Sequence, residues 1–234
     1  MHNPDVILID FYGTITSGDL DAVLRAAQIV IDQLSLPLTP NQFAQRWSEH
    51  FFRAMTASNQ GDFKTLYECE VESLHQAVRH FAPVASLDDE PILAILDDYW
   101  RKPPIQPEVK AFFERVQRPV CCVSNADLEH LTAAIAHHDL PLDAVVCSES
   151  TRSYKPDPII FQEALRVMGV RPERCCHLGD SLASDIAGAR DVGIPAIWIK
   201  REKRIFDGSD ERSADTIENL LQLPFLGIAP QASP

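Results

Sequence analysis

The sequence predicts an α/β fold: a doubly wound parallel sheet with a helical domain inserted after its first strand. Five short apolar runs recur along the chain, "DVILID" (5–10), "PVCCVS" (119–124), "LDAVVCS" (142–148), "RCCHLGD" (174–180) and "IPAIWIK" (194–200). Amphipathic stretches of crossover-helix length separate the later runs. About a hundred residues lie between the first run and the second, too many for one crossover. The runs are apolar throughout rather than alternating, as strands covered on both faces of a parallel sheet must be.

Taken in order, the first run ends on Asp10, by itself an ordinary residue where a strand turns. The long gap is helical in pattern: "DLDAVLRAAQIVIDQLSL", "TPNQFAQRWSEHFFRAM", "DFKTLYECEVESLHQAVRHF" and "DEPILAILDDYW" follow one another, and "RKPPIQP" (101–107) forms the return hinge. This divides the chain into a core of residues 1–15 and 105–225, a helical cap of residues 16–104, and a loose tail, 226–234. In the core, "ADLEHLTAAIAHHD" (126–139) repeats Leu128, Leu131 and Ile135 at helical spacing. In "PDPIIFQEALRVMGV" (156–170), Asp157 can cap a helix, Pro158 suits its first position and Gly169 its end. "SDIAGARDVG" (184–193) reads as a third helix closed by glycine. A small lid over a sheet implies a ligand enclosed between them.

With 34 acidic residues against 21 basic ones, a formal charge of −13, the chain is unsuited to nucleic-acid backbones. The basic run "KREKR" (200–204) reads as a solvated segment after a strand, with a positive rim for an anionic substrate as the minority view. No run reaches membrane-spanning length and no leader pattern opens the chain, so the expected setting is cytoplasmic, for a monomer or homodimer. Six cysteines, at 69, 121, 122, 147, 175 and 176, show no Cys-x-x-Cys spacing. The two adjacent pairs fall in strands, where neighbours point to opposite faces, so reduced buried thiols are expected rather than disulfides or a chelate.

In open α/β sheets ligands lie outside the carboxyl ends of the strands. The polar residues at those ends are Asp10, Ser124, Asn125, Lys155, Asp180 and Asp185. Each alone has an ordinary structural explanation as a cap, a turn or a surface charge. Gathered at one sheet edge, the carboxylates make an oxygen site for a hard cation such as Mg²⁺. A lysine beside them would neutralise an anion or hold a nucleophilic carboxylate ionised, and the serine hydroxyl would bind anionic oxygens.

Four segments, "DFYGT" (10–14), "VSNAD" (123–127), "YKPDPIIF" (154–161) and "GDSLASD" (179–185), resemble in order the signature motifs of the haloacid dehalogenase superfamily. The likeness covers essentially the whole chain, the insertion matching the helical cap of that family's first cap subtype over a Rossmann-like core. It implies that Asp10 is the nucleophile, with Thr14 and Ser124 as hydroxyl partners and Lys155 as charge partner. It also implies a Mg²⁺ site of Asp10, the Tyr12 carbonyl and Asp180, supported by Asp185.

Tyr12 divides the assignment. The family's phosphatases usually read Asp-x-Asp-x-Thr, the second Asp protonating the leaving group, whereas a phenol is a poor base at neutral pH. The family's 2-haloacid dehalogenases read Asp-x-Tyr-Gly-Thr and carry Ser-Asn in the second segment, as Ser124-Asn125 does. They also carry a Trp-Arg pair in the cap. Here Ser48 follows Trp47, leaving Arg46 or Arg53 to reach the site. The last segment has the metal-binding form. The reading placed first is therefore Mg²⁺-dependent hydrolysis of a small phosphorylated metabolite through Asp10, with Asn125 helping Ser124 steady the phosphoryl group. The alternatives are a metal-independent (S)-2-haloacid dehalogenase and a non-catalytic binding protein on the same fold.

Overall fold

A computed structural model describes residues 3–59, 61–201 and 215–227. Six parallel strands form one sheet in the order β3-β2-β1-β4-β5-β6. They are β1 (Val6–Ile9), β2 (Val120–Ser124), β3 (Ala144–Cys147), β4 (Cys175–Gly179), β5 (Ala196–Ile199) and β6 (Asp215–Ile217). The chain builds outward from β1 to one edge, then returns to β1's other side and builds to the opposite edge. That reversal opens a crevice at the carboxyl ends of β1, β2 and β4.

The period of two along each strand divides the core into layers. Ile7 and Ile9 of β1 join one buried cluster, Val6 and Leu8 the other. The cysteine pairs split in the same way, Cys122 and Cys176 to the first layer, Cys121 and Cys175 to the second. All six cysteines are buried free thiols, as expected. Burial raises their pKa values, that of Cys121 to about 12, so they are protonated and inert.

Four helices form the cap inserted after β1: α1 (Asp19–Leu34), α2 (Pro40–Ser58), α3 (Leu66–Phe81) and α4 (Glu90–Arg101). Capping boxes start two of them, Thr39 with Gln42 for α2 and Thr65 with Glu68 for α3. The outgoing and returning linkers lie side by side, bridged antiparallel at Thr16 and Ile105. Gln106 N–H donates to the Ile15 carbonyl at 2.9 Å and Ser17 N–H to that of Pro104 at 2.9 Å. Polar contacts also join cap to core. Asp127 accepts from the Leu66 and Tyr67 N–H groups at 2.6 and 2.9 Å, and Asn59 exchanges hydrogen bonds with the backbone of Tyr154 at 2.7 and 2.9 Å.

The core helices are α5 (Val109–Arg115), α6 (Leu128–His138), α7 (Ser148–Thr151), α8 (Pro158–Met168) and α9 (Gly188–Asp191). Asp157 caps α8 through the Ile159 N–H, Pro158 opens it, and Gly169 ends it at φ 60°. The helix read over 184–193 is corrected: residues Leu182–Ala187 form a wide π-type turn, and only Gly188–Asp191 continue as α-helix. Strand β6 was not legible, because "DTI" is short and its first two residues are exposed. Leu226, read as part of the tail, packs against the core beside buried Phe225, whose carbonyl accepts from Arg118. Residues 228–234 lie outside the described residues, as do 202–204 of the basic run. Among the described residues no helix is long and apolar enough to cross a membrane.

Candidate active site

Strand β1 delivers Asp10 to the crevice, its N–H still bonded to the Leu178 carbonyl of β4 at 2.9 Å. Gly13 then takes φ 91°, a left-handed conformation that an L side chain resists, and the chain closes on itself with Ile15 N–H donating to the Phe11 carbonyl. The tight turn brings the Thr14 hydroxyl to Asp180 Oδ1 at 3.2 Å. On the other side, β4 ends in Gly179-Asp180, and the wide turn bends Asp185 back over the strand. A β-carbon on Gly179 would sit 2.2 Å from Asp185 Cγ, so only glycine admits the carboxylate there.

Lys155 is the hub. Its ammonium, almost wholly buried, donates to Asp10 Oδ1 at 2.7 Å, Asp185 Oδ1 at 2.6 Å and the Val123 carbonyl at 2.9 Å. Burial alone would lower its pKa, but attraction to Asp10 and Asp185 outweighs that and holds it above the usual lysine range. Burial alone would likewise raise the Asp185 pKa. Lys155 and the His177 ring overcome it, and the carboxyl stays well below the ordinary carboxylate range. Asp185 is firmly held: its Oδ1 also meets His177 Nε2 at 3.0 Å, and Oδ2 accepts from Ser181 N–H at 3.1 Å.

Asp10, Asp180 and Asp185 each offer an oxygen within 4.8 Å of the others, all three buried. Three buried carboxylates thus gather beside the Lys155 ammonium, which meets Asp10 and Asp185, and Asp10 Oδ2 has no hydrogen-bond partner among the described residues. Buried negative charge in excess, with a free oxygen lone pair, fits a divalent cation. The Ser124 hydroxyl, also buried and unpartnered among the described residues, stands at the end of the adjacent strand.

Asn125 is placed differently from Ser124. Its side-chain oxygen accepts from Lys155 N–H at 2.7 Å and its amide donates to the Lys155 carbonyl at 3.3 Å, so it fixes the loop that aims the lysine. Tyr12 turns toward the cap and donates from its hydroxyl to the Trp100 carbonyl at 2.6 Å. Burial, reinforced by Tyr99, raises its pKa far above the usual phenol value, so it offers no base.

A cavity of about 240 Å³ joins this floor to the cap. Trp47, Phe51, Met55, Leu66 and Trp100 supply apolar wall, and Ser48 lines it too. Whether Arg46 or Arg53 reaches the site is open in the sequence, and the structure answers it: both pair with Glu49, at 2.6 and 3.6 Å, and neither lines the cavity. Their place on α2 is offset from the helix face carrying Trp47, Phe51 and Met55. Three wall or support residues were missed. Arg201, in the basic run read as solvated, lines the cavity and donates to the Thr14 carbonyl at 2.9 Å. His177 was a polar interruption in an apolar run. Glu70 shares a helix face with Leu66 and Leu74, where its charge breaks the apolar pattern.

The sequence profile of haloacid dehalogenase-like hydrolases matches residues 4–193. The chain belongs to that hydrolase family. A curated relative, the phosphoserine phosphatase of Thermus thermophilus, is 34% identical over 112 residues, 44% of each chain. The chain therefore matches less than half of that relative's length. Among solved structures, a dehalogenase captured with an intermediate superposes with TM-score 0.77 at 20% identity, over 97% of this chain and 99% of that one. A family hydrolase from Bacillus subtilis, bound to magnesium, superposes with TM-score 0.73 at 18% identity, over 95% and 97%. At these identities the superpositions establish the shared capped fold.

Proposed function

We propose that this hydrolase removes phosphate from a small phosphorylated metabolite, using Asp10 as nucleophile and Mg²⁺ as cofactor. The observation that carries the reading is the buried trio Asp10, Asp180 and Asp185, whose oxygens lie within 4.8 Å of one another, gathered beside the Lys155 ammonium. Such an excess of negative charge beside a nucleophilic carboxylate makes sense with a divalent cation and a phosphoryl group, and would repel the carboxylate of a haloacid. The absence of a cap arginine from the cavity wall favours the same choice over dehalogenation. The phosphatase among its relatives supports it further.

Asp10 and Asp180 would hold the metal together with the Tyr12 carbonyl, Asp185 supporting them. Bound there, Mg²⁺ supplies charge neutralisation and orientation of the phosphoryl oxygens. Lys155 donates to Oδ1 of Asp10 and orients the carboxylate, so that Oδ2 serves as the attacking oxygen. A bond forms from Asp10 to phosphorus as the ester P–O bond breaks, and its electron pair leaves on the departing oxygen. The Ser124 hydroxyl donates to a phosphoryl oxygen. Water then attacks the phosphoaspartate and releases phosphate. Tyr12 cannot serve as proton donor while its hydroxyl is given to Trp100, so leaving groups that need no proton, such as acyl or anomeric phosphates, should react fastest.

One paired assay tests the proposal: phosphate release from acetyl phosphate and a sugar-phosphate panel, and chloride release from 2-chloropropionate, each with and without EDTA. EDTA-sensitive phosphate release lost in Asp10→Asn is expected. Chelator-insensitive chloride release without phosphate release would establish the dehalogenase instead. Metal binding without either would leave the non-catalytic reading.

A further inference from the structure

Glu70 is a buried ionisable side chain of the cavity wall that the reaction above leaves unused. It lies on α3 at the cap end of the cavity, buried, one turn beyond Leu66 on the same wall. Its Oε1 accepts from the Trp100 indole N–H at 2.6 Å. Among the described residues no cation pairs with it. The cations of the wall are committed elsewhere, Lys155 to Asp10 and Asp185, Arg201 to Glu108 at 2.7 Å. The wall's other cap carboxylate, Asp19, is partly exposed to water and needs no counter-ion. A buried carboxyl with one indole donor and an apolar wall around it is costly to ionise unless a cation arrives with the ligand to complete it.

We infer that Glu70 is a specificity residue that receives an ammonium group on the leaving-group end of the substrate, so that the preferred substrate class is a small amine-bearing phosphorylated compound. This rests on the function proposed above, which assigns the opposite end of the cavity to the phosphoryl group. The two ends are then complementary to a zwitterion. The phosphoryl anion lies on the floor with Lys155, Ser124 and the metal, and the cation lies against Glu70 beneath the cap. Trp100 holds the carboxyl in place through its ring nitrogen, and its ring edge packs against Tyr12, centroids 4.7 Å apart. That contact links the recognition end to the turn carrying Asp10.

Burial, offset in part by the Trp100 hydrogen bond and reinforced by Asp127 and Asp97, raises the Glu70 pKa to about 8. At neutral pH the carboxyl therefore waits protonated, and an arriving ammonium must displace its proton. Amine recognition here carries a signature that simple packing does not.

The experiment uses phosphonates, which have no ester oxygen to lose, so binding is read without turnover. Calorimetry with Mg²⁺ present compares 2-aminoethyl-, 3-aminopropyl- and 4-aminobutylphosphonate with their methyl isosteres propyl-, butyl- and pentylphosphonate. For at least one pair, the amine should bind roughly tenfold or more tighter to the wild type, since an unmatched buried polar group discriminates strongly. Binding at pH 7 in buffers of differing ionisation enthalpy should show, beyond the protons that the phosphonate itself loses and that Glu70→Gln also releases, close to ~1 proton released per amine bound. Glu70→Gln, which keeps the acceptor for Trp100, should abolish both the preference and the proton release. Equal or tighter binding of every isostere, a preference retained in Glu70→Gln, or amine binding without proton release would overturn the inference. Acetyl phosphate turnover, run in parallel, separates the two claims. Turnover without amine preference refutes Glu70 recognition alone, whereas loss of both turnover and phosphonate binding refutes the phosphatase reading as well.

Discussion

Replacing Lys155 by Met tests the electrostatic core of the site. The substitution keeps an unbranched apolar stem and removes the ammonium that donates to Asp10, Asp185 and the Val123 carbonyl at 2.6–2.9 Å. The side chain is 2% exposed, so water cannot take over its role. Removing one member of a buried ion pair costs about 3–5 kcal/mol, because the charges left behind stay buried and uncompensated. For a urea slope of about 3 kcal/mol per molar, a loss of about 4 kcal/mol lowers the unfolding midpoint by roughly 1.3 M. The assay is equilibrium urea unfolding followed by circular dichroism, with and without Mg²⁺. A divalent cation should restore more stability to the variant than to the wild type, because it supplies a counter-charge that the variant has lost. A midpoint shift below roughly 0.3 M, or a variant more stable than wild type without metal, would refute the charge balance argued here.

Gly179→Ala should uncouple Asp185 from Lys155, since its β-carbon would fall 2.2 Å from Asp185 Cγ; the expected cost is ~1–3 kcal/mol in urea unfolding with weakened Mg²⁺ binding by calorimetry, and undiminished metal affinity would count against it. Glu70→Gln should flatten part of the pH dependence of stability. With the folded pKa raised to about 8 and the unfolded one near 4.5, the native state binds the extra proton between those values, so wild-type stability falls as pH rises through that window. The variant lacks that loss, and its advantage over wild type should grow from pH 5 to pH 8 by a few kcal/mol, as read from urea midpoints at each pH. A constant difference across the window would show that the carboxyl does not titrate there.

How much of this was legible follows from the range of the forces involved. The strands could be read because both faces of a central parallel strand are covered, which forces continuous apolar runs such as Val6–Ile9 and Val120–Val123. The helix over 158–168 could be read because capping is local: Asp157, Pro158 and Gly169 act within a few residues of their own backbone. The turn at 182–187 could not, because its form is imposed by Asp185 reaching back over Gly179 to Lys155, contacts between separate strands. Strand β6 was invisible for a related reason, as it joins the sheet through backbone pairing with β5 and two of its side chains face water.

Residue types and their order already announce the chemistry on offer: a carboxylate after each of two central strands, a lysine and a serine between them, and a phenol where a second acid commonly stands. Residue type and order along a parallel sheet suffice for that, since the carboxyl ends of its strands share one edge. Only the tertiary structure decided which groups meet and which are occupied. It sent Arg46 and Arg53 to Glu49 on the surface, tied Asn125 to the Lys155 backbone, and turned the Tyr12 hydroxyl to Trp100. It also enclosed Glu70 at the cap end of the cavity, with no counter-ion among the described residues. These outcomes depend on packing between cap and core, where side chains dozens of residues apart compete for the same partners, and no spacing along the chain records who wins.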